Sequence, residues 1–162
     1  PAGSDSGLLE AAEDYCAAAG LPATPALDLE GKMETVKLAV VGAHLKDMPL
    51  HWQLTSRHAT FVGSFQTAAT YQLYAMADSI PSKPALVHSD YGGAIAVEVY
   101  ELDVGAFGSF VSEVPAPLAI GTVTLEDGST VKGFVAEPRA TVGAEDITAL
   151  GGWRAYIARE AV

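Results

Sequence analysis

Residues 38–54, LAVVGAHLKDMPLHWQL, set four polar side chains just beyond a short apolar run. Leu38 to Val41 has the pattern of a buried strand, and it ends at Gly42. His44, Lys46, His51 and Gln53 follow within the next eleven residues. Opening a buried strand at a glycine is one way a fold delivers reactive groups to a sheet edge. His44 is the leading acid–base candidate, because an imidazole with a pKa of about 6.5 holds both protonation states within reach near neutrality. The competing reading is a hydrogen-bonded structural histidine. Gln53 both donates to a carboxylate and accepts an N–H. Arg57 offers a bidentate fork for a carboxylate, or is a surface charge. Lys83 stands between Pro81 and Pro84, a stiff segment that fixes where its cation points, or is a solvated loop lysine.

Those cations matter because the chain is acidic. Nine Lys and Arg against twenty Asp and Glu give a formal net charge of −11 over 162 residues. That balance disfavours nucleic acid and anionic membranes as partners, since both need clustered basic residues. An anionic substrate requires a local basic island instead. The histidines at 44, 51, 58 and 88 show no metal-ligand spacing, and the single Cys16 excludes both an internal disulfide and a cysteine zinc site. No metal or cofactor is expected. The first residues, PAGSDSGLLEAAEDY, are acidic and read as no secretory signal, and no apolar run reaches the roughly 20 residues of a membrane helix. A cytoplasmic location is the expectation.

The elements that must position these groups are mostly strands. Apolar residues at helical spacing predict a helix over 7–19, stopped by Gly20 and Pro22, with a linker to 33. The division expected is an arm and linker at 1–33 and one domain at 34–162. Within the domain, strands are expected at 35–41, 59–66, 70–75, 94–101, 119–125 and 130–136. The last two flank the hairpin turn Glu126-Asp127-Gly128-Ser129. Helices are expected at 103–113 and 144–160, the second interrupted near Gly151 and Gly152. Strand alternation separates Tyr71 from Tyr74 and Glu98 from Glu101 onto opposite faces. Without βαβ alternation the class is α+β with a mixed or antiparallel sheet.

Five segments in order carry a resemblance. LAVVGAHLKDMPLHWQL (38–54), PSKPALV (81–87), FGSFVSEVPAPLAIGTV (107–123), DGSTVKGFVAE (127–137) and GAEDITALGGWRAYIA (143–158) resemble the C-terminal domain of allophanate hydrolases across roughly residues 36–160. The resemblance implies a gamma-glutamylcyclotransferase-like fold, a barrel-like sheet with a few helices. In that fold a loop at the place of Gly42, Ala43, His44 and Leu45 presents backbone N–H groups to a substrate carboxylate or carbonyl, a nest that glycine leaves open. The cyclotransferases have a Tyr-Gly-Ser/Thr-Leu type of loop, whereas here valine precedes the glycine and histidine follows it by two. Glu113 is nearest by position to their acidic base, but its surroundings differ and no catalytic role is assigned to it.

In the full-length family an amidase half removes ammonia from allophanate, and the C-terminal half is associated with decarboxylating the resulting N-carboxycarbamate. The Gly/Ser-rich amidase signature is missing here, so the resemblance implies the second step only, with an amidase as possible partner. The substrate would be a small dianion with two carboxylates on one nitrogen. His44 would deliver a proton, while Arg57, Lys83, Gln53 and the Gly42 loop hold the carboxylates without a cofactor. Two other readings stand beside this one. The domain serves as an oligomerisation or stabilising module for an amidase, with PAPLAIG and Met48, Leu50 and Trp52 as interface and a homo-oligomer possible, or it is a cyclotransferase acting on gamma-glutamyl amines.

Overall fold

A computed structural model describes residues 33–162. The helix expected at 7–19 and the linker after it, save Met33, lie outside the described residues. The fold is α+β. A five-stranded sheet has the order β2 (Thr60–Gln66), β5 (Ala96–Asp103), β1 (Thr35–Val40), β7 (Thr130–Ala136), β6 (Leu118–Thr124). Only β1 and β7 run parallel; the other pairs are antiparallel. A three-stranded sheet has the order β4 (Pro84–His88), β3 (Tyr71–Ala75), β8 (Glu145–Asp146). The helices are α1 (Trp52–Thr55), α2 (Val104–Ser112) and α3 (Trp153–Glu160).

The larger sheet curls without closing. Its outer strands, β2 and β6, meet at one corner, where Ala68 N–H donates to Thr124 O and Glu126 N–H donates to Gln66 O, both at 2.9 Å. Buried Thr67 finishes that corner, its hydroxyl accepting from Ile95 N–H at 3.0 Å. The smaller sheet is tied on by Tyr71, whose phenol oxygen accepts from Thr124 N–H at 2.9 Å. This is the physical meaning of barrel-like here: strong twist brings the edges together at a point, and side chains bridge the rest.

The central strand β1 explains its sequence. Leu38, Ala39, Val40 and Val41 are all buried, because strands flank β1 on both sides and layers cover both faces. The β6–β7 hairpin turns where expected. Gly128 has φ 85, a left-handed value that glycine adopts without Cβ strain, and Asp127 accepts from Ser129 N–H at 2.9 Å. Asp103 caps α2 by accepting from Ala106 N–H at 2.7 Å.

All six expected strands occur, with ends displaced by two residues at most. Strand β4, read from sequence as stiff Pro-rich loop, is an addition; Pro84 is tolerated because it opens the strand at a sheet edge. The C-terminal helix begins at Trp153, not at 144. Before it, Asp146 pairs with Tyr74 and accepts from Thr148 N–H at 2.9 Å, local bonds that compete with helix formation.

Gly42 reveals how the functional loop is seated. A Cβ built there falls 2.1 Å from Pro84 Cδ and 2.4 Å from its Cγ. The room beside Gly42 is filled by the proline that starts β4, not left open for a ligand. A proline ring has no free rotor with which to retreat. Gly42→Ala is therefore expected to destabilise the domain by about 2 kcal/mol or more, measured as a lower urea midpoint; an unchanged midpoint contradicts the contact.

Candidate functional site

After β1 the chain makes a compact loop from Gly42 to Leu50, held mostly by its own backbone. Leu45 N–H donates to Gly42 O at 2.9 Å, and Leu50 N–H donates to Ala43 O at 2.8 Å. The first of these uses the Leu45 amide expected to meet a ligand. The amides of Ala43 and His44 donate to no protein acceptor among the described residues, although both residues are buried. Buried N–H groups without a partner are rare and call for one, so this pair is a ready donor site for an anion.

His44 is 9% exposed. Its ring stacks on Phe134 with centroids 4.9 Å apart and meets Phe110 edge-on at 5.1 Å. Nε2 lies 2.7 Å from Gln53 Oε1. With the amide oxygen in that place Nε2 carries the proton, leaving Nδ1 with the lone pair. His51 fixes the loop beneath, its Nδ1 donating to His44 O at 3.0 Å. Burial among the aromatic rings holds the His44 pKa below its ordinary value; the bond to Gln53 opposes this, and the charges of Lys83 and His51 add to it.

The groups named from sequence separate into two sets. Gly42, Ala43, His44 and Lys83 line one small cleft, closed by Val41, Pro84, Leu118 and Phe134. Its volume is about 20 Å³, the room of a single water. Past Lys83 and Leu118 it borders a wider cavity of about 290 Å³, bounded by Ser79, Ile80, Pro115, Pro117 and Arg139. The PAPL stretch thus frames a cavity wall. Gln53 and Arg57 stand outside the cleft lining. Gln53 grips His44 from the side. Arg57 is bound to Gln53 O at 2.9 Å, to Ser109 Oγ at 3.1 Å and to Glu113 at 3.1 Å, with its side chain 13% exposed. Its guanidinium is occupied by α2, and it braces the α1 turn that carries Gln53. Glu113 is held by the same pair and lines neither cavity. Leu45 points the other way, into a groove shared with Glu98.

Sequence reasoning passed over three contributors. Phe110 and Phe134 supply the apolar walls around His44, and Glu98 is buried beside the loop at 8% exposure. A carboxylate inside the apolar run AVEVYEL was the available signal for Glu98. His58 and His88 are exposed and distant from the cleft lining, and Trp52 is 58% exposed. Among the described residues no group of three or more His, Cys, Asp or Glu side chains gathers to hold a metal, and no helix is long and apolar enough to cross a membrane.

A family model, the allophanate hydrolase C-terminal domain, matches residues 36–158. The chain belongs to that family. It is 47% identical over 129 residues to the urea amidolyase of Lachancea kluyveri, covering 76% of this chain and 7% of that protein. The chain thus spans about one-fourteenth of the length of the curated relatives it matches. The structure of Kluyveromyces lactis allophanate hydrolase aligns at TM-score 0.75 and 45% identity over 78% of this chain and 21% of that one. A uropathogenic E. coli-specific protein aligns at TM-score 0.72 and 35% identity, over 78% of this chain and 98% of its own. An aig2-like protein from mouse, at TM-score 0.52 and 19% identity over 66% of this chain and 82% of that one, shares the fold alone.

The depressed pKa of His44 has a measurable sign. The unfolded histidine takes up a proton at about pH 6.5, and the folded one only at lower pH, so stability present above that value is lost as pH falls toward the folded pKa. Between about pH 7 and about pH 5 the thermal midpoint should drop, and His44→Gln should drop less over the same range. Parallel pH curves for the two proteins overturn the assignment.

Proposed function

We propose that this domain decarboxylates N-carboxycarbamate, the product of an amidase acting on allophanate, as one step of cytoplasmic urea and allophanate breakdown. The observation that carries the reading is one cleft lined by Ala43, His44 and Lys83, in which two amides and the His44 Nδ1 have no protein partner among the described residues. Family membership supports it, since the matching stretch is a small part of a urea amidolyase and of an allophanate hydrolase.

The chemistry fits the groups. The substrate is a dianion, HN(CO₂⁻)₂. The amides of Ala43 and His44 take one carboxylate, and Lys83 attracts the other. An approaching dianion raises the affinity of His44 for a proton, reversing the effect of burial. The imidazole then gains a proton at Nδ1 while Nε2–H stays on Gln53. Breaking one C–N bond releases carbon dioxide and leaves the electron pair on nitrogen. That nitrogen takes the Nδ1 proton, giving carbamate and neutral imidazole, so charge and atoms balance. The aromatic walls exclude water and keep the proton transfer directed. The cleft admits a small planar anion only if Lys83 swings toward the wider cavity it borders.

The decisive assay couples a separate amidase to allophanate and follows carbon dioxide after ammonia. Positioned proton transfer contributes about 10²–10⁴-fold, so His44→Ala should slow carbon dioxide release by that range while the fold persists. A wild-type rate equal to the uncatalysed one overturns the proposal in favour of a stabilising module for an amidase. Malonate, two carboxylates about one atom, provides a second check. Its affinity should fall as pH rises through neutrality, because the bound state holds a proton on His44 that the free state does not. His44→Gln should remove this dependence in calorimetric titrations.

A further inference from the structure

Glu98 is a carboxylate in the middle of a buried strand. A buried charge is costly unless each oxygen is answered. Here each is, and the partners converge on one residue of the His44 loop. Glu98 Oε2 accepts from Lys46 N–H at 2.9 Å and from Tyr100 O–H at 2.9 Å. Glu98 Oε1 accepts from Arg154 Nη2 at 2.7 Å, and the same nitrogen donates to Lys46 O at 2.9 Å. The amide and the carbonyl of Lys46 are thus held together by a side-chain pair drawn from β5 and α3. Lys46 is two residues past His44.

We propose that Glu98 and Arg154 are positioning residues that clamp the loop at Lys46 and thereby set the place and hydration of the His44 imidazole. The inference rests on the decarboxylation reading for its catalytic consequence, but the clamp itself is a matter of geometry.

Three observations favour positioning over general stability. The pair bonds to loop main chain on the side of the loop opposite the cleft, and neither residue lines the cleft. Asp47, immediately after the clamped residue, has φ 67, a left-handed value that Asp tolerates better than most non-glycine residues, which fixes the turn at this point. Arg154 itself is placed by its neighbour Trp153, which is only 1% exposed and stacks on Tyr156. The Arg154 side chain stays 49% exposed beside a groove of about 340 Å³, so its removal opens no sealed cavity. The charged or titratable groups facing His44 are Lys83 and His51, and those facing Glu98 are Arg154 and Tyr100. The two sets touch where the His51 ring lies 5.6 Å from the Tyr100 ring, so coupling runs through that ring pair as well as through the loop backbone.

The test follows the His44 imidazole by ¹⁵N NMR titration in the wild type, Arg154→Ala, Arg154→Lys and Glu98→Gln. With the clamp released, water reaches the ring and the His44 pKa should climb toward the ordinary value of about 6.5. Exposed His58 and His88 should titrate as before, and Arg154→Lys should recover part of the shift. Carbon dioxide release should fall in kcat by about 10- to 100-fold in Arg154→Ala, with little change in KM. An unaltered His44 titration in folded Arg154→Ala and Glu98→Gln overturns the clamp. So does a common shift of all the histidines, which signals general loosening, and so does full activity in Arg154→Ala. A wild type that fails to accelerate decarboxylation sinks the proposed function alone, because the titration still reads the clamp.

Discussion

The structure depends on satisfying a polar loop at the end of a buried strand. β1 delivers its chain into the interior between two layers, where Gly42 to Leu45 are buried, and the loop then turns outward through Lys46, Asp47 and Pro49, which are exposed. Each unanswered buried amide or carbonyl is costly, so partners are recruited from across the domain. Glu98 and Arg154 answer Lys46, His51 answers the His44 carbonyl, and turns within the loop answer Leu45 and Leu50. Pro84 fills the space beside Gly42. Among the described residues the amides of Ala43 and His44 are left without a protein acceptor.

Rigidity and reactivity are linked at His44 by burial. Aromatic packing on two sides desolvates the imidazole and favours its neutral form, while Gln53 chooses which nitrogen carries the proton. In the proposed reaction the arrival of a dianion resets this neutral base, coupling its protonation to substrate rather than to solvent. Arg57 participates indirectly. Placed between Gln53, Ser109 and Glu113, it joins the short α1 turn to α2 and so supports the amide that orients the histidine. The acidic surface is compatible with an anion only because Lys83 stands at the cleft within a chain otherwise short of cations.

Much of this was legible in sequence, for reasons that concern local periodicity. A short apolar run ended by glycine named β1 and the loop; alternation named the other long strands; Asp-Gly named the hairpin; and His44 stood out by its chemistry. β4 was missed because two prolines in seven residues read as loop, and the start of the last helix was misplaced because Asp146 and Thr148 bond locally. Residues 1–32 lie beyond what the structure describes.

The division between the two kinds of information is physical. Sequence by itself determined the α+β class, six of the eight strands, the family and the loop that bears the histidine, since these follow from patterns spanning a few residues or from wording held in order. Only the tertiary structure decided that Pro84 rather than a ligand occupies the flank of Gly42, that Arg57 is bound to α2, and that Lys46 is gripped by residues 52 and 108 positions away. Periodicity records which side of an element is buried, whereas the partner met there is fixed by how distant elements pack. That is why Glu98, one carboxylate in an apolar strand, could be noticed in the sequence but acquired a purpose only when the loop closed over it.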